Sequence, residues 1–167
     1  MAGVPQRGIS PTTLLAGVAL VCIGAVAAAL VSQHVFDMQP CPWCVLQRVI
    51  FLAIALACGL GLLWRSRVGR TVSIGLALLL TISGIAAALW QHFKAAASAS
   101  CNLTLADKIV SGWLQLDSLL PDMFSPRASC ADAAVNLLGV PYDLWSLALF
   151  TAMAAAMVMA ARRAGGR

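Results

Sequence analysis

Apolar residues dominate four long stretches of the chain, residues 14–35, 45–64, 72–93 and 144–161, and polar residues are gathered almost wholly between them. Each stretch is about 18 to 22 residues long, the length of helix needed to cross the hydrocarbon core of a bilayer. None carries the polar face at a period of about 3.6 residues that a helix of a soluble core would show. The pattern therefore predicts an all-α membrane protein, a four-transmembrane-helix bundle forming a single integral membrane domain over residues 1–167. Its connections on one side are a short loop, residues 36–44, and a long one, residues 94–143. Within the long loop, Leu105, Ile109, Trp113, Leu116 and Leu120 recur at helical spacing among Asp107, Lys108, Gln115 and Asp117. That is the pattern of a short amphipathic helix lying in the membrane interface.

Composition agrees: 61% of residues are hydrophobic and 10% charged, outside the range of soluble domains. Charge supplies an orientation. Arg7, Arg65, Arg67, Arg70, Arg162, Arg163 and Arg167 fall at the two ends and in the loop between the second and third spans, whereas all six acidic residues fall on the other side. By the positive-inside rule both termini are expected to be cytoplasmic. The net charge of +5 is thus a matter of topology, and no nucleic-acid partner is expected. The first apolar stretch is longer than a signal-peptide core and ends on Gln33-His34, so an uncleaved span is expected.

Six cysteines divide into two groups. Cys22 and Cys58 lie deep in the first and second spans, where a buried thiol stays protonated and packs as a small apolar residue. Cys41, Cys44, Cys101 and Cys130 lie on the outer side, in a compartment where disulfides can persist. Cys41-Pro42-Trp43-Cys44 opens the second span. At that spacing on a first helical turn, the Cα atoms are about 5 to 6 Å apart, within disulfide reach. Pro40 and Pro42 suit a helix start, and the free amides there favour a thiolate. A bond between Cys101 and Cys130 would close a loop of about 30 residues, serving either as a structural staple or, if exposed, as an exchange site.

Arg48 lies on the helical face of Cys41 and Cys44, its side chain leaning back toward them. It is expected either to hold a thiolate or the carbonyl oxygen of an electron acceptor, or to snorkel as an interfacial anchor. Oxidising a dithiol removes two electrons, and the chain has no flavin or nicotinamide fingerprint. The hydrophobic two-electron acceptor at hand in a bilayer is a quinone. His34 and His92 end the first and third spans at the level of the cysteine pair, where either could line a ring pocket, assist proton release, or serve as a plain interfacial polar residue.

Gln33-His34-Val35, Pro40-Cys41 through Cys44 to Arg48, Trp113-Leu114 with Leu116-Asp117, Pro121, Phe124, Cys130, and Leu138-Gly139 to Pro141 with Trp145 together resemble the bacterial disulfide bond formation protein B (DsbB) family over nearly the whole chain. Proteins of that family stand in a relay of DsbA, DsbB and quinone that keeps the bacterial periplasm oxidising. The resemblance implies a multi-pass protein of the bacterial inner membrane, with its active cysteines on the periplasmic side. It implies that the protein reoxidises a periplasmic DsbA-like thiol oxidase and passes two electrons to ubiquinone or menaquinone from the membrane quinone pool. By similarity, Cys101 and Cys130 form the disulfide that the partner attacks, with Cys101 in the mixed disulfide; Cys130 then engages Cys41, and Cys44 faces the quinone beside Arg48. His92 resembles a quinone-proximal histidine of the family. Pro42-Trp43 departs from the aliphatic pair of relatives, and Gln47 stands where some have an acidic residue, so no carboxylate role transfers to that position. A vitamin K epoxide reductase-like enzyme is the nearest rival, but there the cysteine pair is expected near the end of a later span. A metal or haem bundle using the histidines or the C-x-x-C is a non-enzymatic alternative; no metal site is expected.

Overall fold

The computed structural model describes residues 10–64, 66–95, 105–133 and 135–165. Four helices in it are long and apolar enough to span a membrane. They are α1 (Pro11–Val35), α2 (Pro42–Leu63), α3 (Arg67–Trp90) and, after the loop elements, α7 (Tyr142–Gly165). Each contains or overlaps one apolar stretch, and the helices start earlier than the stretches because polar caps lie outside them. Ser10 accepts from the Thr13 amide and Ser66 from the Gly69 amide, with Pro11 in the first turn of α1, so each of these ends satisfies an otherwise orphaned donor.

Helix α2 is the most enclosed of the four. It packs against α1 and α3, while α7 packs against α3 and, less extensively, against α1. Buried positions recur at helical spacing: Leu15, Val18, Cys22 and Val26 on α1, Ile50, Ile54 and Ala57 on α2, Phe150, Met153 and Met157 on α7. Phe51 and Phe150 stack with centroids 4.2 Å apart. Gly84 of α3 admits the Phe150 ring so closely that a Cβ there would lie 2.4 Å from it. Cys22 and Cys58 are fully buried; the Cys22 thiol donates to Met153 Sδ at 3.3 Å, which fits the expected packing role.

The long loop departs from the single amphipathic helix that its spacing predicts. It forms α4 (Leu105–Asp107), a π-helical segment over Lys108–Trp113, α5 (Leu116–Leu119) and α6 (Pro121–Phe124). Gln115 adopts φ 49°, and this left-handed residue breaks the helix between Trp113 and Leu116. Ala106 and Val110 face the protein, leaving Leu105, Trp113, Leu119 and Leu120 exposed, as suits an element whose apolar side meets lipid. A two-residue hairpin, β1 (Asn136–Leu137) with β2 (Val140–Pro141), turns through Leu138 and Gly139, both at positive φ, the signature of a type I′ turn. Arg7, Arg65, Arg167 and Cys101 lie outside the described residues.

Candidate active site

The cysteine pair is built by the start of α2. Cys41 is the N-cap, extended at ψ 167°, and its sulfur accepts from the Cys44 amide at 3.3 Å; Pro42 follows in the first turn. Proline has no amide to orphan there and its φ is already helical. The cap geometry brings the Cys41 and Cys44 sulfurs to 2.8 Å, so the two can exchange a bond without refolding the helix.

Cys130 is delivered from the far end of the long loop. The Arg127 and Ala128 amides both donate to the Pro40 carbonyl, at 3.0 and 3.3 Å, tying the loop to the residue before Cys41. Cys130 is buried and hydrogen-bonds with Cys41. That bond, followed by a donation from the Trp43 backbone amide, holds the Cys130 thiol below its ordinary pKa against the opposing effect of burial. Cys41 is pushed upward, first by the bond with Cys130, then by Cys44 and by burial. In the reduced site these contacts favour the proton on Cys41 over Cys130. Cys41 is thus flanked by two sulfurs.

Cys44 faces the other way, into a cavity of about 630 Å³ between α1, α2, α7 and the loops. Its walls include Ala25, Ala29, Phe51 and Leu149, with Arg48, Gln47 and Gln91 at the polar edge; neither Cys41 nor Cys130 lines it. Arg48 is 5% exposed, which is incompatible with a snorkelling head in solvent. Its guanidinium donates to Gln33 Oε1 at 2.7 Å, the Met123 carbonyl at 2.9 Å and the Ala29 carbonyl at 3.3 Å. These acceptors are neutral, and no carboxylate among the described residues pairs with it. Its charge is therefore available to the cavity.

Two buried amides also take part, with roles that the sequence did not assign. Gln33 both receives Arg48 and donates to the Asp122 carbonyl at 3.0 Å, pinning α6 to α1. Gln91 donates to Cys44 Sγ at 3.3 Å and receives Gln47 at 2.8 Å. It sits where α3 passes into a π-helical turn, Gln91–Ala95, a geometry that re-aims side chains. The signal for both was a polar amide inside an apolar stretch. Neither histidine lines the cavity. His34 is exposed on the last turn of α1, whereas His92 Nδ1 is 2.8 Å from Asp143 Oδ2, and Asp143 does line it. Among the described residues no cluster of three metal-ligating His, Cys, Asp or Glu side chains occurs.

Residues 11–160 match the family described as "Disulfide bond formation protein DsbB". The chain belongs to the DsbB family. A "Disulfide bond formation protein B" from Aromatoleum aromaticum is 33% identical to it over 162 residues, 94% of this chain and 96% of that one. Another of that name from Herminiimonas arsenicoxydans is 32% identical, over 84% of this chain and 89% of that one. "Disulfide bond formation protein B 1" from Pseudomonas savastanoi pv. phaseolicola is 35% identical over 78% of each. As a DsbB protein the chain is a multi-pass membrane oxidoreductase that forms disulfides, and its family is quinone-dependent. The site suits that group: the cavity offers apolar walls, an uncompensated guanidinium and a thiol at one edge.

Proposed function

We propose that this DsbB protein reoxidises a periplasmic DsbA-type partner through Cys101 and Cys130, relays the electrons through Cys41, and delivers them from Cys44 to ubiquinone or menaquinone. The observation that carries this reading is the position of Cys41 between Cys130 on the loop side and Cys44 on the cavity side. A partner thiolate attacks Cys101, forming a mixed disulfide and releasing Cys130 as thiolate. The Trp43 amide favours that charge, and a sulfur of lower pKa leaves faster. The partner's second thiol then displaces Cys101, completing the partner's disulfide.

Cys130 next attacks Cys41 in the Cys41–Cys44 bond. A Cys41–Cys130 bond forms, and Cys44 leaves as a thiolate at the cavity wall. Attack of Cys101 on Cys130 restores the loop disulfide and returns Cys41 to its thiol. Closing Cys41 and Cys44 again releases two electrons and two protons, for which a quinone held at Arg48 would supply the sink. Arg48, Gln47 and Gln91 would hold its polar edge and Ala29, Phe51 and Leu149 its apolar body. Asp143, paired with His92, stands at the same cavity as a group able to hold a proton. The net change is partner dithiol plus quinone to partner disulfide plus quinol.

The arginine distribution supports cytoplasmic termini. An impermeant thiol reagent on intact cells should label cysteines introduced at residues 105–142 and spare one introduced at Arg67; the reverse would overturn the orientation. The reaction itself is tested with purified protein, reduced DsbA-type partner, and ubiquinone-1 or a menaquinone analogue, following quinone absorbance. Quinone should be consumed one for one with partner dithiol, and Cys101→Ser should stop turnover while leaving the Cys41–Cys44 bond able to form. Arg48→Leu removes charge-assisted contacts of roughly 1.5 to 3 kcal/mol, about a 10- to 150-fold loss in kcat/KM for quinone. Wild-type rates in both variants would contradict the assignment.

A further inference from the structure

We propose that Gln91 is a positioning residue that donates its amide hydrogen to Cys44 Sγ, with Gln47 fixing the direction of that amide, so that Cys44 is held as the thiolate of the pair on the cavity side. The inference deepens the proposed reaction, resting on Cys44 as the cavity-facing sulfur, and assigns a task to two uncharged side chains.

The geometry is a short hydrogen-bonded chain. Gln47 Nε2 donates to Gln91 Oε1 at 2.8 Å, and Gln91 Nε2 donates to Cys44 Sγ at 3.3 Å. Gln47 is 4% exposed and Gln91 5%, so water does not compete freely for these groups. A thiolate can only accept, so it must meet the NH₂ side of Gln91; that turns Oε1 toward Gln47, whose NH₂ must then donate. Rotating one amide alone would set acceptor against acceptor or donor against donor in a buried place, at the cost of an unmade hydrogen bond. A hydrogen bond to an ionised sulfur is stronger than one to a neutral thiol, so the chain favours the thiolate.

The arrangement also discriminates within the pair. Cys41, less than a turn away, receives the Cys44 amide and the Cys130 contact and no side-chain amide. The π-helical turn at Gln91–Ala95 lies where α3 must aim Gln91 across to α2. Cys44 is also influenced by Cys41, Cys130 and Arg48. On the other walls of the cavity stand Asp37, Arg127, Asp132, Tyr142 and Asp143. All of these groups are retained in the variants below, so a change in Cys44 reports on the amide chain.

The test is the pH profile of iodoacetamide alkylation at Cys44 in the reduced full-length protein in detergent, resolved by peptide mass spectrometry, with Cys130 followed in the same digests. Neither quinone nor partner is present. Gln91→Leu should slow Cys44 alkylation at pH 7 about tenfold and move its profile about one pH unit alkaline, while the Cys130 profile stays in place. Gln91→Glu, which sets a carboxylate against the sulfur, should move it at least as far, and Gln47→Leu should move it in the same direction by less. A Cys44 profile in Gln91→Leu that superimposes on wild type overturns the proposal. So does a shift shared equally by Cys130, because that would report a general loosening of the site. Failure of the wild-type protein to reduce quinone would instead overturn the proposed reaction and leave this titration standing.

Discussion

Cys41 and Cys130 differ in chemistry because they differ in what surrounds their sulfurs. Cys130 gains from the Cys41 thiol and then from the Trp43 amide, whereas Cys41 has thiol neighbours on both sides and no solvent. In the reduced protein, Cys130 should therefore alkylate with a midpoint below the ordinary thiol pKa of about 8.5, and ahead of Cys41. The stabilisation tied to Cys130 is fully present above that ordinary value and is lost as pH falls through its lowered folded-state value. Cys41→Ala removes the largest favourable contact, so the Cys130 alkylation midpoint should move upward. A Cys41 that reacts before Cys130, or a midpoint unmoved in Cys41→Ala, would contradict this charge assignment. At this scale the sequence was informative about thiols and about Arg48, whose types declare their chemistry. It named Gln33 only as a polar span end and within a family motif, and gave Gln91 no role, because an amide takes its role from partners 15 and 44 residues away in the chain.

Among the elements, those with a strong local pattern were legible. The four long helices follow from apolar length, and the start of α2 from the Pro40-Cys41-Pro42 run. The loop was less so: the spacing of Leu105, Ile109, Trp113, Leu116 and Leu120 by three or four residues implies one helix, yet the chain winds into a π-helical segment and reverses at Gln115. Apolar periodicity records which side meets lipid, and it does not record where tertiary contacts to Ala106 and Val110 unwind or break the helix. The α3–α7 contact gives an element-scale prediction. Gly84→Ala places a methyl group within 2.4 Å of the Phe150 ring and should cost about 1 to 3 kcal/mol of stability through overpacking. Gly75→Ala, on the same helix with open space around it, should be neutral or stabilising. Thermal unfolding in detergent checks the pair; equal melting temperatures for both variants would show that α3 and α7 do not pack as described.

The whole molecule is a helical bundle that separates two chemistries on either side of one residue. On the loop side lies Cys130, on the cavity side Cys44, and Cys41 is buried between them; in the proposed reaction the first serves a soluble partner and the second a lipid-soluble acceptor. The number of spans was legible because bilayer thickness fixes helix length; the cavity was not, since it arises from small residues on α1 facing α7 and from loops returning over the bundle. Cys130 lies against Cys41, and in the proposed relay the two exchange a bond. The most direct measurement of that exchange uses the double variant Cys44→Ser with Cys101→Ser, oxidised mildly with diamide, quenched with N-ethylmaleimide and mapped by peptide mass spectrometry. A linked Cys41–Cys130 peptide in most molecules, with Cys22 and Cys58 still reduced, is the result the account predicts; Cys41 and Cys130 recovered as two separate thiols in folded protein would contradict it.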